Sequence, residues 1–210
     1  MIEPTDQQKK IIAEANSCVV IAKPGSGKTY VLSEKIKKIL PDLPEYKGVI
    51  AISYTNKASD ELKQRSLKGG LFKKSSFFGT IDKFNLYEMV IPFGKQLFGK
   101  PNFELSILKI PELNKKEDFG WFTQDFEYGN LNQNHIKCLK EYFLNGKIIL
   151  ELVGILSIYI FDNSLACKKY IKSRYSHIII DEYQDSGKEQ HELFIRLKKL
   201  GLCAIAVGDL

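Results

Sequence analysis

The chain has 210 residues, of which 44% are hydrophobic and 27% charged, and its formal net charge is +6 with a pI near 9.0. This composition is that of an ordinary globular protein and excludes a disordered chain. The length allows one large domain or a core domain with an inserted lobe, and the positive charge favours polyanionic partners without establishing them.

Targeting and membrane signals are weak in this sequence. The first residues, MIEPTDQQKK, lack the basic and apolar regions of a signal peptide. The longest apolar stretch, 148–161, contains Glu151 and is too short to cross a bilayer, so we interpret it as a buried helix. We expect a cytoplasmic protein with no membrane partner. Buried thiols in a reducing compartment are the favoured interpretation of four cysteines that form no CxxC pair: Cys18, Cys138, Cys167 and Cys203.

The first predicted elements are a helix, a strand and a second helix. Thr5 is an expected N-cap with Gln8 three residues later, which is the spacing of a capping box, and the helix it opens reaches Ala15. The apolar run at 18–22 is typical of a short buried strand, and residues 28–40 are predicted to form a helix that Pro41 ends.

The segment AKPGSGKT, between this strand and helix, follows the Walker A pattern with alanine in place of the first glycine. Glycines allow backbone N–H groups to turn around a phosphate, and the helix N-terminus adds its positive dipole end. Lys28 would neutralise the β- and γ-phosphates, and the Thr29 hydroxyl would be a ligand of Mg²⁺. An ordinary glycine-rich turn is the alternative, but strand, glycines, Lys-Thr and helix in register favour a nucleoside triphosphate site. Its predicted residues here are Ala22, Gly25, Ser26, Gly27, Lys28 and Thr29.

Strand–helix alternation continues after this loop, breaks, and then resumes. Strands are predicted at 48–53 and 75–80, with a helix at 56–68 between them and a further helix that ends near Pro92. Residues 93–163 carry scattered aromatic residues and irregular turns without this alternation. The last predicted elements are a helix at 164–173, a strand at 177–181, a helix at 186–200 and a strand at 202–207. The pattern predicts an α/β protein, with a mostly parallel sheet, helices on both faces and an inserted segment.

A second half of the nucleotide site is predicted in HIIIDEYQDS, where an apolar strand ends in Asp181 and Glu182. A carboxylate at a strand tip beside a phosphate loop is suited to hold Mg²⁺, usually through water. Glu182 would orient and deprotonate the water that attacks the γ-phosphate. A strand capped by solvated acids is the alternative, and the neighbouring Walker A segment favours catalysis. Thr29 and Asp181 are therefore the predicted metal-binding residues.

Five segments resemble, in order, motifs I, Ia, Ib, II and the start of III of UvrD/Rep/PcrA-type superfamily-one helicases: AKPGSGKT, AISYTNKASDEL, FFGTIDKF, IIIDEYQDS and IAVGD. TDQQ is similar to that family's Q-motif. GTIDKF, IPFGKQLFG and DEYQDSGKEQHELF are most similar to the helicase-like subunit of Gabija-type anti-phage systems. The resemblance implies a RecA-like P-loop NTPase domain at 1–90 and 166–210, an inserted, mainly helical subdomain at 91–165, and no second RecA-like domain within the sequence.

The resemblance also implies residue roles. Gln8 would contact the adenine, in competition with its capping-box role, Gln184 would lie near the γ-phosphate, and Asp209 would begin the coupling motif. Four residues would face single-stranded DNA, by stacking in the case of the first and by backbone contact in the others: Tyr54, Thr55, Asn56 and Thr80. Packing of Tyr54 in the core is the alternative. Asp82 stands where the family usually has histidine, which puts a DNA contact there in doubt.

The function implied is the ATP-binding half of a DNA-dependent ATPase or helicase that uses ATP and Mg²⁺. Its expected partners are single-stranded DNA and, in anti-phage defence, a nuclease subunit. The expected catalytic residues are Lys28, Asp181, Glu182 and Gln184. A nucleotide- or DNA-sensing module without turnover is the alternative, and the long gap from Lys28 to Asp181 disfavours a small P-loop kinase. We expect the 210-residue chain alone to be nearly inactive.

Overall fold

The computed structural model describes residues 4–23, 25–109 and 131–209. Its strands are β1 Cys18–Ile21, β2 Gly48–Ile52, β3 Phe77–Gly79, β4 Ser106–Leu108, β5 Lys147–Ile149, β6 Tyr175–Ile180 and β7 Cys203–Gly208. Its α-helices are α1 Asp6–Ala13, α2 Lys28–Asp42, α3 Asn56–Ser66, α4 Ile81–Phe84, α5 Ile91–Phe98, α6 Gln133–Leu144, α7 Val153–Asn163, α8 Leu165–Arg174 and α9 Lys188–Lys199.

The chain divides into two compact units. The first comprises Met1–Ile81, Lys169–Gly187 and His191–Leu210, and the second comprises Asp82–Lys168 and Lys188–Gln190. The sequence-based domain boundaries, after residue 90 and before residue 166, remain a prediction.

The first unit is built on a five-stranded sheet with the order β1-β7-β6-β2-β3. Every pairing in it is parallel, so the carboxyl ends of all five strands meet at one edge. Leu32, Ile36 and Leu40 repeat every four residues on α2 and pack onto one face of the sheet, together with Leu62 of α3. The predicted α/β fold with a parallel sheet is confirmed, and this packing fixes the strand-end edge on which the candidate site lies.

The second unit is mainly helical, and two predictions about it are wrong. The helix expected to end near Pro92 continues, through a π-helical turn at Asn85–Val90, into α5. Pro92 lies in the first turn of α5, where a missing backbone N–H costs little. The stretch 148–161, expected to be one helix, begins as β5, which pairs in parallel with β4, and becomes helical only afterwards. Part of the segment expected to be irregular, 110–130, lies outside the described residues.

All four cysteines are free thiols, and their burial differs. Cys167 is fully buried, and burial raises the pKa of its thiol to about 12. Cys18, Cys138 and Cys203 are only half-buried, so the expectation of buried thiols is confirmed for Cys167 alone.

Within the ranges that the structure describes, no single helix is long and apolar enough for a span, and one bent pair, Leu150–Asn163 with Leu165–Arg174, meets the length and composition criteria only jointly.

Candidate nucleotide site and nucleic-acid edge

The predicted phosphate loop connects the end of β1 to the start of α2. Gly25 and Gly27 have φ of +76° and +85°, a region in which side chains are strained and glycine is favoured. Gly27 is the N-cap of α2, and its carbonyl accepts from the Val31 N–H at 3.0 Å. Ala22 is tied to the neighbouring strand, because its N–H donates to the Gly208 carbonyl at 3.1 Å. The loop thus has the glycine-dependent turn that a phosphate site needs.

Gln8 makes the capping box and also contacts the phosphate loop. Its Oε1 accepts from the Thr5 N–H at 2.9 Å, and Thr5 Oγ1 accepts from the Gln8 N–H at 3.3 Å. Its Nε2 donates to the Ser26 carbonyl at 3.0 Å. A Cβ placed on Gly27 would lie 3.1 Å from this Nε2. The capping box is therefore present, and the Gln8 amide additionally links α1 to the loop; the contact of Gln8 with the adenine stays a prediction.

Lys28 is placed at the centre of a carboxylate cluster. Its side chain is 8% exposed, and its Nζ lies 3.1 Å from Glu182 Oε2 and also bonds Asp209. Burial acts to lower the pKa of Lys28, but the hydrogen bonds and charges of Asp209 and Glu182 outweigh it and raise the pKa above its ordinary value. The ammonium group is thus held charged beside the loop.

Asp181 follows β6 and is 5% exposed. Its Oδ2 accepts from the Thr29 hydroxyl at 3.4 Å, and its Oδ1 accepts from the Glu182 N–H at 3.1 Å. Burial, and after it the charge of Glu182, raises the pKa of Asp181. The structure therefore brings together Thr29 and Asp181, the two predicted metal-binding residues.

This oxygen pair fits a magnesium ion. Ligand oxygens lie about 2.0–2.1 Å from Mg²⁺, so neighbouring corners of its octahedron are about 2.9 Å apart. The 3.4 Å separation of the Thr29 and Asp181 oxygens approaches that spacing. No group of three or more His, Cys, Asp or Glu suited to a metal occurs in the described part of the chain. The remaining ligands would be phosphate and water oxygens, as is usual for Mg²⁺.

Glu182 has an unusual backbone conformation. Its φ of 54° and ψ of 49° are left-handed, which is uncommon for a residue with a side chain and is enriched at functional sites. Gln184 Nε2 donates to Glu182 Oε2 at 2.8 Å, while Gln184 Oε1 accepts from the Asp209 N–H at 3.0 Å. A Cβ on Gly208 would lie 2.5 Å from that Oε1, so a side chain there would displace the Gln184 amide. Gln184 thereby connects the end of β6 to the end of β7.

Tyr183 anchors this turn, and sequence reasoning did not identify it as a site residue. Its hydroxyl lies 2.6 Å from His191 Nδ1, and its ring packs on Phe194 with centroids 5.1 Å apart. Both partners belong to α9, so the turn that carries Glu182 and Gln184 rests on that helix.

A cavity of about 340 Å³ lies in front of the phosphate loop. Besides loop residues, Tyr30, Glu182 and Asp209, it is lined by Glu61 and Arg65 of α3, which form an ion pair at 2.6 Å. Sequence reasoning missed Tyr30, Glu61 and Arg65. The only sequence feature that could have drawn attention to Glu61 and Arg65 is their opposite charge four residues apart on a predicted helix. By itself that spacing indicates only an exposed helix surface.

The residues predicted to face DNA follow β2 and β3, which are neighbours in the sheet. The Tyr54 ring is 66% exposed, which excludes its packing in the core. Thr55 is the N-cap of α3 and accepts from the Ala58 N–H at 3.1 Å, and Asn56 is the exposed first residue of that helix. Ser53 donates its N–H to the Gly79 carbonyl, which brings Thr80 to the same edge of the sheet.

The N-terminal domain family of UvrD/REP helicases matches two overlapping parts of the chain, residues 4–137 and 114–210. The chain belongs to this family. The resemblance predicted from the five motifs is thereby confirmed, and ATP use is a property that helicase membership implies.

Curated relatives of this UvrD/REP-type domain are considerably longer than the chain. It is 32% identical over 206 residues to the Gabija protein GajB of Bacillus cereus (strain VD045), covering 96% of this chain and 38% of that protein. It is 26% identical to the ATP-dependent DNA helicase Rep of Buchnera aphidicola subsp. Baizongia pistaciae, over 97% of this chain and 35% of that protein. It is 22% identical to the ATP-dependent DNA helicase PcrA of Bacillus subtilis (strain 168), over 97% of this chain and 32% of that protein. The chain spans about a third of the length of these relatives.

Proposed function

We propose that the chain is the ATP-binding part of a DNA-dependent ATPase of the UvrD/Rep type, which couples ATP hydrolysis to translocation on, or sensing of, single-stranded DNA. The observation that carries this proposal is the cavity in which Lys28, Glu182 and Asp209 meet in front of the glycine turn. A cation beside a glycine turn suits a polyphosphate, and a carboxylate within reach of it suits activation of water.

The chain's own residues would divide the work of hydrolysis. Lys28 would bind the β- and γ-phosphate oxygens, with the backbone N–H groups of the loop around them. Glu182 would accept the proton of the attacking water, held in place by the Gln184 amide. Thr29 and Asp181 would hold Mg²⁺, which when bound neutralises charge that develops on the phosphates.

The strand-end edge with Tyr54, Thr55, Asn56 and Thr80 is the proposed contact for single-stranded DNA. An exposed aromatic ring beside helix-capping hydroxyl groups suits stacking on a base and binding of phosphate. A cytoplasmic role in anti-phage defence, together with a nuclease subunit, is a finer proposal that rests on the 32% identity to a Gabija protein.

The test is calorimetric titration of the chain with ATP and Mg²⁺, compared with Lys28→Ala and with Lys38→Ala as a matched control. Lys38 is exposed on the same helix, so its loss should leave affinity unchanged. Lys28→Ala should weaken binding clearly, because the phosphates lose their nearest cation. Equal affinity of the wild type and Lys28→Ala would refute the proposal. Nucleotide binding with no turnover in any longer protein containing the chain would favour a sensing module instead.

A further inference from the structure

The edge of the five-stranded sheet opposite the nucleotide site carries exposed aromatic side chains. Strands β6, β2 and β3 are parallel neighbours, so the segments that precede them, 170–174, 43–47 and 72–76, lie side by side where these strands begin. These three segments are here called the amino-end surface. Phe72 in it is 78% exposed, and Tyr46 is exposed as well. Single exposed hydrophobic residues are common on proteins, so only the surroundings of these rings can indicate an interface.

The segment that carries Phe72 is bonded to both of its neighbours. Lys74 has a left-handed backbone with φ of 50°, which is uncommon for a residue with a side chain, and its ammonium group donates to the Leu43 carbonyl. On the other side, Arg174 Nε donates to the Ser75 carbonyl at 3.3 Å. A strained backbone persists only where its surroundings hold it, and such positions cluster at functional surfaces. A surface that is already ordered loses little entropy when a partner binds.

The charge of the amino-end surface is mainly positive. Glu45 is its one acidic residue, and Asp42 directly precedes it. Its basic residues are Lys47, Lys73, Lys74, Lys172 and Arg174. The Arg174 guanidinium group lies over the rings of Tyr170 and Tyr175, 5.5 and 5.4 Å from their centroids. A surface with this excess of positive charge is complementary to an anionic partner.

The arrangement of these charges favours a protein over a nucleic acid as the anionic partner. A groove for single-stranded nucleic acid aligns basic groups along the phosphate backbone. Here Lys74 and Arg174 already donate to backbone carbonyls, and the carboxylates of Asp42 and Glu45 would repel phosphates. Aromatic residues and arginine are enriched in protein interfaces.

We propose that the amino-end surface docks a segment of a partner protein in which apolar side chains are flanked by carboxylates. The ring of Phe72 packs against the apolar side chains, and Lys47 and Lys172 pair with the carboxylates. This proposal goes beyond nucleotide and DNA binding. Because the surface lies at the edge opposite the phosphate loop and Tyr54, the partner can be bound together with ATP and DNA.

The experiment follows the amide resonances of the ¹⁵N-labelled 210-residue chain during titration with a hexapeptide, leucine-phenylalanine flanked on each side by two glutamates. Saturable shifts should be confined to the amino-end surface, with a Kd of about 1 mM or lower, as for a small transient interface. Phe72→Ser should weaken binding by about tenfold, the scale of an aromatic anchor. Lys172→Glu should also weaken it, and this loss should shrink as salt rises. Phe103→Ser is the matched control, because Phe103 is exposed in the second unit, and it should change nothing.

Other results would overturn the proposal in distinguishable ways. No saturable shift at millimolar peptide, or shifts outside the three segments, would exclude docking there. Equal binding of a peptide with lysines in place of the glutamates would exclude recognition by charge. Tighter binding of a thymidine oligonucleotide at the same resonances would make the surface a nucleic-acid contact. Shifts that depend on protein concentration without peptide would make it a contact between copies of the chain. Loss of peptide binding in a longer protein that contains the chain would show that another part of that polypeptide covers the surface.

Discussion

Asp181 and Glu182 are adjacent carboxylates in different surroundings. Asp181 is buried beside Thr29, whereas the side chain of Glu182 is 36% exposed and faces Lys28 and Gln184. The backbone at Glu182, between these two environments, is left-handed. Two acids whose environments differ in this way are suited to different roles, here a metal ligand and a base. Replacement of Glu182 by a β-branched residue would oppose this conformation as well as remove the carboxylate.

Tyr54 provides the residue-scale prediction for DNA. Tyr54→Ala should weaken single-stranded DNA binding by about 1–3 kcal/mol, because an exposed ring that stacks on a base is lost. Binding should also weaken as salt rises, through release of counterions from the DNA. Tyr46→Ala is the matched control, since Tyr46 is 67% exposed but precedes β2 and so lies at the opposite edge of the sheet. Fluorescence anisotropy with a labelled oligonucleotide measures both variants.

If Tyr54→Ala and Tyr46→Ala weaken DNA binding equally, the DNA does not bind preferentially at the strand-end edge. Salt-independent binding would argue against contact with the phosphate backbone.

At the residue scale, the positions of the motif residues could be predicted because each lies in a short segment whose residue types and spacing indicate its function. Gly25, Lys28 and Asp181 are all found at the strand-end edge that the pattern required. Arg65 and Tyr30 could not be predicted as site residues. The position of Arg65 at the cavity depends on how α3 packs beside α2, and a sequence pattern contains no such distance. Tyr30 directly follows the loop but belongs to no residue type that the Walker A pattern specifies.

At the scale of elements, the buried ammonium group of Lys35 on α2 holds the C-terminal end of helix α1 in place. Lys35 is 2% exposed, and its Nζ donates to the Ile11 carbonyl at 2.7 Å and to the Glu14 carbonyl at 2.5 Å. These carbonyls lie at the C-terminal end of α1, where a positive charge also complements the helix dipole. Burial lowers the pKa of Lys35. The same helix carries Gln8, so this contact supports the phosphate loop indirectly.

Lys35→Met should therefore loosen α1 while keeping most of the side-chain volume. We expect a loss of about 1–3 kcal/mol in the free energy of unfolding, because two backbone carbonyls lose a charged donor. Backbone hydrogen exchange should rise in 6–13 more than in α3. Lys38→Met, an exposed change on the same helix, should alter neither quantity. Unchanged exchange in α1 of the Lys35 variant would contradict the proposed attachment.

His177 in β6 gives a prediction for pH. Burial, with a smaller effect of the Lys35 charge, lowers the pKa of His177 from 6.5 to about 4. The folded state therefore favours the neutral ring, whose Nδ1 lies 2.8 Å from Ser176 Oγ. Its stabilising contribution is complete above pH 6.5 and is lost as the pH falls towards 4, where the unfolded chain binds a proton that the folded chain does not.

The wild type should lose up to about 3 kcal/mol of stability through this residue across that interval. His177→Gln removes the titration, so urea unfolding of the two proteins at several pH values isolates the difference. Parallel pH profiles would show that His177 does not titrate as its burial requires. The other histidines, His135 and His191, are present in both proteins and cancel from the comparison.

Elements of the first unit could be predicted more accurately than those of the second for a physical reason. In the first unit β2 is an apolar run bounded by loop residues, and α2 carries its own apolar stripe. In the second unit one apolar run contains both a strand and a helix, β5 and α7, so hydrophobicity alone does not separate them. The meaning of Pro92 for the helix boundary was ambiguous in the same way. A proline can mark the end of one helix, and it is also favoured in the first turn of the next.

At the scale of the whole molecule, the chain holds few arginines for phosphoryl transfer. The sequence contains three: Arg65, Arg174 and Arg196. Arg65 lines the phosphate cavity and is paired with Glu61. Arg174 donates to the Ser75 carbonyl, and Arg196 is paired with Glu192. The relatives have nearly two thirds of their length beyond the part that this chain matches.

We therefore predict that the 210-residue chain shows no appreciable DNA-stimulated ATPase activity, although it binds ATP. An arginine that stabilises charge on the γ-phosphate is worth about 10³–10⁵ in rate in related sites, and Arg65 is already neutralised by Glu61. Phosphate release with and without single-stranded DNA measures this, with Glu182→Gln as the blank and the Bacillus subtilis PcrA helicase as the positive control. Turnover at a rate similar to that of PcrA, abolished in Glu182→Gln, would contradict the prediction. In that case, Arg65→Ala tests whether Arg65 is the arginine that stabilises the γ-phosphate. If this variant loses turnover but still binds ATP with the wild-type affinity, Arg65 of α3 makes the contact in the transition state.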